Sequence, residues 1–207
     1  MNRKLSKPDR TLAVSRQDEI PARLERDGSV SVDGLADRFG VLVIGKGLGG
    51  GVLPIAAVIA DPGLDVGGDW AFGHYTHEKN PVTTPAAPET IRIIEDENLV
   101  ANAARVGALA LARLDGMMDR CPSIGDVRGR GCFIGVELVR DRATREPNAD
   151  LAEAVLCRAL DAGLSFKTTM GNVLTLTPPL TVTPEQMANA LDIVEAAIVD
   201  MDRVCQT

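Results

Sequence analysis

Residues 41–61 read VLVIGKGLGGGVLPIAAVIAD. Four apolar residues, Val41–Ile44, run into a turn crowded with glycine, and a second apolar run follows over Pro54–Ala60. The pattern predicts a short buried strand, a tight turn and a second apolar strand. Lys46 stands where the first run ends. Glycines at 45, 47, 49, 50 and 51 let the backbone reach positive φ and approach a ligand closely. In a nucleotide-binding P-loop the lysine follows the glycines and precedes Ser or Thr, so this order excludes that reading. A lysine between apolar strands is desolvated, which favours the neutral amine that attacks an aldehyde. Spacing alone equally admits a surface lysine in a flexible turn.

The segment GKGLGGGVLPIAAVIA resembles the stretch around the cofactor-binding lysine of class III aminotransferases. That family is pyridoxal-phosphate dependent and has fold type I. The resemblance implies that Lys46 holds pyridoxal 5'-phosphate as an imine and shuttles the proton between the substrate Cα and the cofactor. It runs from about Val41 to Met201, the carboxy-terminal half of such an enzyme. The fold it implies passes from α/β to α+β, the end of a large domain followed by a small α+β domain.

Downstream, GHYTHEKNPV (residues 73–82) resembles the family loop T-x-x-x-N-P. The match assigns Thr76 to the cofactor phosphate of the neighbouring subunit and implies a homodimer. A hydroxyl suits that role because it donates to a phosphate oxygen without adding charge. His74 and His77 form an HxxH spacing beside Glu78, but two histidines without a third ligand at a known spacing are weak evidence for a metal. After Pro81 the family has an alanine-rich helix, whereas this chain reads VTTPAAPETIRII. Pro88 inside a helix costs about 3 kcal/mol, so the helix either begins late, at Glu89, or is damaged.

Leu99, Ala103, Val106, Ala110, Leu114 and Met117 fall on one face of a long helix that links the two domains. SIGDVRGRGCFIGVELV (residues 123–139) reads as a glycine-punctuated turn and a strand ending at Leu138-Val139. It resembles the segment that opens the family's small domain, with Arg128 and Arg130 in structural roles. Asp150 is placed as the cap of a helix through Leu151, Val155 and Leu160, closed by Gly163. LSFK and NVLTLT read as short strands. Thr183-Pro184-Glu185-Gln186 is a capping box with proline at the first helical position, followed by an apolar face of Met187, Leu191, Val194, Ile198 and Met201. Many class III enzymes carry an arginine three residues before the Pro-Pro pair, forked onto the substrate α-carboxylate. Here that position is Thr175, which offers no bidentate cation and puts ordinary α-keto acid recognition in doubt.

Residues 16–41, RQDEIPARLERDGSVSVDGLADRFGV, carry a second resemblance, to the start of DeoR-type winged helix-turn-helix repressors. Asp33 caps a helix with Leu35, Ala36 and Phe39 facing inward. The recognition helix that should follow and enter a major groove is replaced by LVIGKGLGGG, and Pro21 interrupts the first helix. The domains expected are therefore 1–40, a truncated helix-turn-helix segment; 41–120, the end of the cofactor-binding domain; and 121–207, the small α+β domain.

Charge points away from nucleic acid. Residues 1–40 hold eight Lys+Arg and seven Asp+Glu, a net +1; the rest hold fourteen against twenty-two, a net −8, which sums to −7. An acidic body repels phosphate backbones. Aromatic residues make up 3% of the chain, so its core rests on aliphatic side chains. No stretch has the apolar length of a membrane span and the amino terminus has no signal-peptide core. Cys121, Cys132, Cys157 and Cys205 form no CxxC pair, which fits reduced thiols in a cytoplasm.

The functional reading is a class III transaminase moving an amino group from an amino acid or amine to a keto acid. Racemase or decarboxylase chemistry on the same scaffold is equally compatible. Its activity should be reduced or absent, because a full-length family member draws its phosphate-gripping loop, ring-stacking aromatic and pyridine-binding aspartate from an amino-terminal half not seen here. The rivals are a fragment of a DNA-binding regulator and an inactive fusion remnant.

Overall fold

Apolar β-branched runs and three helices with one buried face each decide the architecture. The computed structural model describes residues 40–60 and 80–205, with Ala22 and Arg26 as isolated helical positions and side chains followed as far as Asp202. The helix-turn-helix-like segment, Thr76 and the His74/His77 pair thus lie essentially outside the described residues. Two units divide between Arg92 and Ile93.

In the first unit, β1 (Val41–Ile44) pairs antiparallel with β2 (Ala57–Ala60), Val41 opposite Ala60 and Ile44 opposite Ala57. The second strand begins at Ala57, three residues later than its apolar run. Neither strand is buried as expected: Val43 is 68% exposed, Val58 66% and Ile59 58%. The reason is topological, since a two-stranded sheet gives each strand only one neighbour. The helix α1 (Ala86–Asp96) starts before Pro88, not at Glu89. Pro88 falls in the first turn, where an amide has no intrahelical acceptor, so the expected penalty does not arise. Arg92 Nε donates to Glu89 Oε2 at 2.9 Å along its exposed side.

The second unit begins with α2 (Leu99–Asp115), whose buried residues Leu99, Ala103, Val106, Ala110 and Leu114 are those its periodicity marks. Residues 123–139 form two strands where a turn and one strand were expected. β3 (Ile124–Arg130) and β4 (Phe133–Asp141) make a hairpin with Arg130 opposite Phe133. The tight link Gly131-Cys132 permits this because Gly131 takes φ 57°. The short β5 (Glu146–Pro147) pairs with β4, and the sheet continues through β7 (Val173–Leu176) to β6 (Lys167–Thr169), in the order β3-β4-β7-β6, all antiparallel.

β7 is buried along its whole length because it lies between β4 and β6, so no polar–apolar alternation of exposure survives there. Helices α3 (Ala149–Asp161) and α4 (Pro184–Cys205) join α2 around one core with Ile134, Val136, Leu138 and Leu174. Each large side chain buried there contributes about 1.5–3 kcal/mol.

The helix ends follow local chemistry. The cap of α3 is Asn148, whose Oδ1 accepts from the Leu151 amide at 3.2 Å; Asp150 sits inside the first turn instead. Gly163, at φ 88°, closes the helix as read: the Leu164 and Gly163 amides return to Ala159 and Leu160 carbonyls, both at 2.9 Å. In α4 the capping box is complete, Thr183 amide to Gln186 Oε1 at 3.0 Å and Gln186 amide to Thr183 Oγ1 at 3.1 Å. Arg113 of α2 ties the helices together, donating to Glu195 at 2.8 Å and Asp192 at 2.5 Å.

Candidate functional site

The candidate reactive group, Lys46, begins a single 3-10 turn (Lys46–Gly49) between the two strands. The turn is anchored by Leu48 and Gly49, both buried. A Cβ on Gly49 would lie 3.1 Å from Ile55 Cγ2, so a side chain there would crowd the turn against the segment that leads into β2. Gly50, at φ 66°, donates its amide to the Gly47 carbonyl at 3.0 Å and ends the turn. Lys46 itself takes φ 42°, a left-handed conformation rare outside glycine, asparagine and aspartate.

The desolvation expected of Lys46 is not met in this chain. Its side chain is exposed, because the strands that flank it are themselves uncovered. A Cβ on Gly45 or Gly47 would meet nothing within 4 Å, so the backbone on either side of Lys46 is uncrowded. An exposed primary amine fits a covalently held aldehyde. Thr76, assigned to the cofactor phosphate, lies outside the described residues.

Thr175 is 6% exposed, and its Oγ1 shares a 2.7 Å hydrogen bond with Thr169 Oγ1. It stands opposite Gly135 on β4 and Lys167 on β6. The hydroxyl pair satisfies a buried polar position that an arginine would occupy with a charge. Arg128 is engaged by acids, 2.6 Å from both Asp126 and Glu137, which agrees with a structural role and holds its pKa above the usual arginine range. Arg130 instead lines a cavity of about 520 Å³ with Val100, Ala104, Phe133, Thr177 and Leu180. The sequence reading did not single out this cavity. Its signal was available in α2, where Val100, Ala104, Ala108 and Ala112 recur every four residues on a second apolar face.

Cys121 and Cys132 are buried free thiols and Cys157 is an exposed one. Burial pushes the Cys121 and Cys132 thiols up from their ordinary range, so they stay protonated at neutral pH. Among the described residues there is no cluster of metal-ligating side chains and no helix long and apolar enough to cross a membrane.

A lysine on a glycine turn between two strands, followed by an antiparallel sheet backed by three helices, is the arrangement of the second half of a pyridoxal-phosphate transferase of fold type I. The sequence profile of the class III aminotransferases matches residues 18–198. This chain belongs to that family. The match begins within the segment that resembles a repressor start. The (R)-1-hydroxy-2-aminoethylphosphonate ammonia-lyase of Vibrio splendidus is 41% identical over 91% of this chain and 39% of its own. The leucine/methionine racemase of Thermococcus litoralis is 38% identical over 89% of this chain and 42% of its own. The crystal structure of a Bacillus anthracis aminotransferase superposes with a TM-score of 0.71 and 29% identity, over 78% of this chain and 39% of that one. The chain thus spans about two fifths of the length of the relatives it matches.

Proposed function

We propose that this chain is the lysine-bearing part of a pyridoxal-phosphate enzyme that moves an amino group from an amino acid or amine to a keto acid. The observation that carries the proposal is Lys46 on its glycine turn within a chain of this family. Lys46 Nζ would hold the cofactor, and Thr76 would donate to the phosphate held in the neighbouring subunit of a homodimer. Bound pyridoxal phosphate supplies an electron sink for bond breaking at the substrate Cα. Lys46 Nζ, as a neutral amine, would take the Cα proton and return it.

Returning that proton to the opposite face would be racemisation, and expelling a neighbouring group would be elimination. Thr175 in place of the family arginine favours weighing these as the second reading, and so does the likeness to a racemase and an ammonia-lyase. The boundaries 1–40, 41–120 and 121–207 and a cytoplasmic location, the latter from the dispersed cysteines, complete the proposal.

Three features predict little or no turnover by the chain alone. Lys46 is exposed, its strands are uncovered, and the relatives are more than twice as long. The test treats the full chain with pyridoxal phosphate, reduces it with borohydride, and maps the pyridoxyl group by peptide mass spectrometry. Label concentrated at Lys46, and lost in Lys46→Ala, supports the assignment. Label spread evenly over all lysines refutes it. Incubation with amino acids in D₂O separates the reactions: keto acid for transfer, loss of chirality without keto acid for racemisation, ammonia for elimination.

A further inference from the structure

The two faces of the sheet in the second unit differ in kind. Ile134, Val136, Leu138, Leu174 and Leu176 turn into the aliphatic core, so the residues that alternate with them turn the other way. On that second face the register lines up one residue from each strand. Arg128 of β3 stands opposite Gly135 of β4, Gly135 opposite Thr175 of β7, and Thr175 opposite Lys167 of β6. The row reads cation, bare backbone, hydroxyl, cation. Neighbouring strands lie about 4.8 Å apart, so the long side chains at the two ends can both lean over its middle. Gly135 leaves a gap there, because it puts no side chain between Arg128 and Thr175.

The polar groups of this row are unevenly satisfied. Arg128 spends Nη1 on Asp126 and Glu137, which offset its charge. Lys167 is exposed and has no ion pair among the described residues. Thr169 Oγ1 and Thr175 Oγ1 stand 2.7 Å apart, and either can be the donor. Two hydroxyls carry two protons, and their mutual bond uses one. Neither hydroxyl makes another hydrogen bond among the described residues, so one proton is left to give. A spare donor beside an unpaired cation is matched by an acceptor that carries negative charge.

We infer that this row binds a small oxyanion. Lys167 supplies the charge, the Thr169–Thr175 pair supplies the hydroxyl donor, and the gap at Gly135 receives the anion. A lysine is a point charge without the planar fork of a guanidinium, so binding follows the charge of the anion more than its planarity. A phosphate or phosphonate group should therefore bind more tightly than a carboxylate. Asp126 and Glu137, opposite one another in the adjoining row, hold the affinity down to about millimolar. Many class III enzymes carry an arginine at the Thr175 position; the charge inferred here stands on the adjacent strand instead. The inference goes beyond the proposed function and stands without Lys46.

The test titrates the full chain with inorganic phosphate, methylphosphonate or acetate at constant ionic strength and follows backbone amide shifts by NMR. Saturable shifts at Gly135, Thr175 and Lys167 are expected, with phosphate and methylphosphonate ahead of acetate. Lys167→Met should weaken phosphate binding about fivefold, and Lys167→Arg should restore it. Thr175→Val, which removes a hydroxyl at nearly constant volume, should weaken it at least about twofold. Arg120→Met, at an exposed cation outside the sheet, should change nothing. Absence of saturable shifts in this row overturns the inference, as does unchanged binding by Lys167→Met. Equal losses in Lys167→Met and Arg120→Met overturn it in favour of unspecific charge attraction, and acetate binding ahead of phosphate overturns the point-charge geometry. Lys167→Met lies at an exposed edge strand and keeps the test open should Thr175→Val fail to fold. Pyridoxyl labelling of Lys46 is read separately, so failure of either idea leaves the other standing.

Discussion

Substituting Gly107 by alanine tests how the second unit is held together. A Cβ on Gly107 would lie 2.0 Å from the Gly131 carbonyl oxygen, 2.3 Å from its carbon and 2.7 Å from its Cα. All three are backbone atoms, so no rotamer change relieves the clash, and α2 must move away from the β3–β4 turn by more than an ångström. Overpacking of this kind costs about 1–3 kcal/mol, occasionally more, and a backbone obstacle places it at the upper end. Alanine returns about 1 kcal/mol through its helix propensity. The net destabilisation is about 2 kcal/mol, a fall in Tm of about 5–15 °C for a unit of this size. Gly116→Ala is the control. Gly116 has φ −63°, and its Cβ would meet only the Ala112 and Arg113 carbonyl oxygens at an ordinary 3.5 Å. That variant should be neutral or more stable by about 0.4–1 kcal/mol. Thermal and urea unfolding monitored by far-ultraviolet circular dichroism read both. If Gly107→Ala is as stable as Gly116→Ala, the tight helix–turn contact is not what holds α2 against the β3–β4 turn.

The cap of α3 can be settled by comparing Asn148→Ala, which loses the bond to the Leu151 amide and should cost about 0.5–2 kcal/mol, with Asp150→Ala. Asp150 is 83% exposed in its pair with Arg140, so its loss should fall within about 0.5 kcal/mol; the reverse order in urea unfolding would restore Asp150 as the cap. Thiol chemistry gives another test, because in the folded chain Cys157 should be alkylated readily while Cys121 and Cys132 resist, as peptide mapping would show. The folded pKa values of these two buried thiols lie above the ordinary 9.0. Their contribution to stability is therefore complete below that pH and is lost as pH rises through the folded values. A Cys121→Ala/Cys132→Ala variant should accordingly show a flatter decline in Tm above about pH 9.

Much of the second unit was legible because its signals are local and strong. Thr183 to Gln186 form a complete capping box, Gly163 takes the left-handed role it was given, and the apolar periodicities of α2 and α4 match their buried faces. The misreadings share one cause: local pattern competing with tertiary placement. Residues 123–139 carry so many glycines that a strand was read as a turn, yet Gly125 and Gly129 lie within β3, where neighbouring atoms come within 2.6 Å of where a Cβ would stand, and Gly135 lies in β4, where the nearest would be 3.2 Å away. Asp150 is a good capping residue two positions too late, because Asn148 has already bonded the Leu151 amide. Pro88 looked harmful only because it was taken to lie in the helix interior, whereas the helix begins at Ala86 and Pro88 falls in its first turn. Lys46 was placed on the right turn but given the wrong environment. Burial depends on neighbours in space, and no spacing rule within VLVIGKG reports whether those neighbours are present.

The two-stranded pair β1–β2 has a consequence for how this amine is ordered. An isolated pair of strands is marginal in water, so the amides of Val41–Ile44 and Ala57–Ala60 should exchange with solvent much faster than those of β4 and β7. The catalytic candidate therefore rides on the segment easiest to unmake. Any neighbour that extends this ribbon would slow exchange on both sides of Lys46, so deuterium uptake at these eight positions reports when such a neighbour joins it.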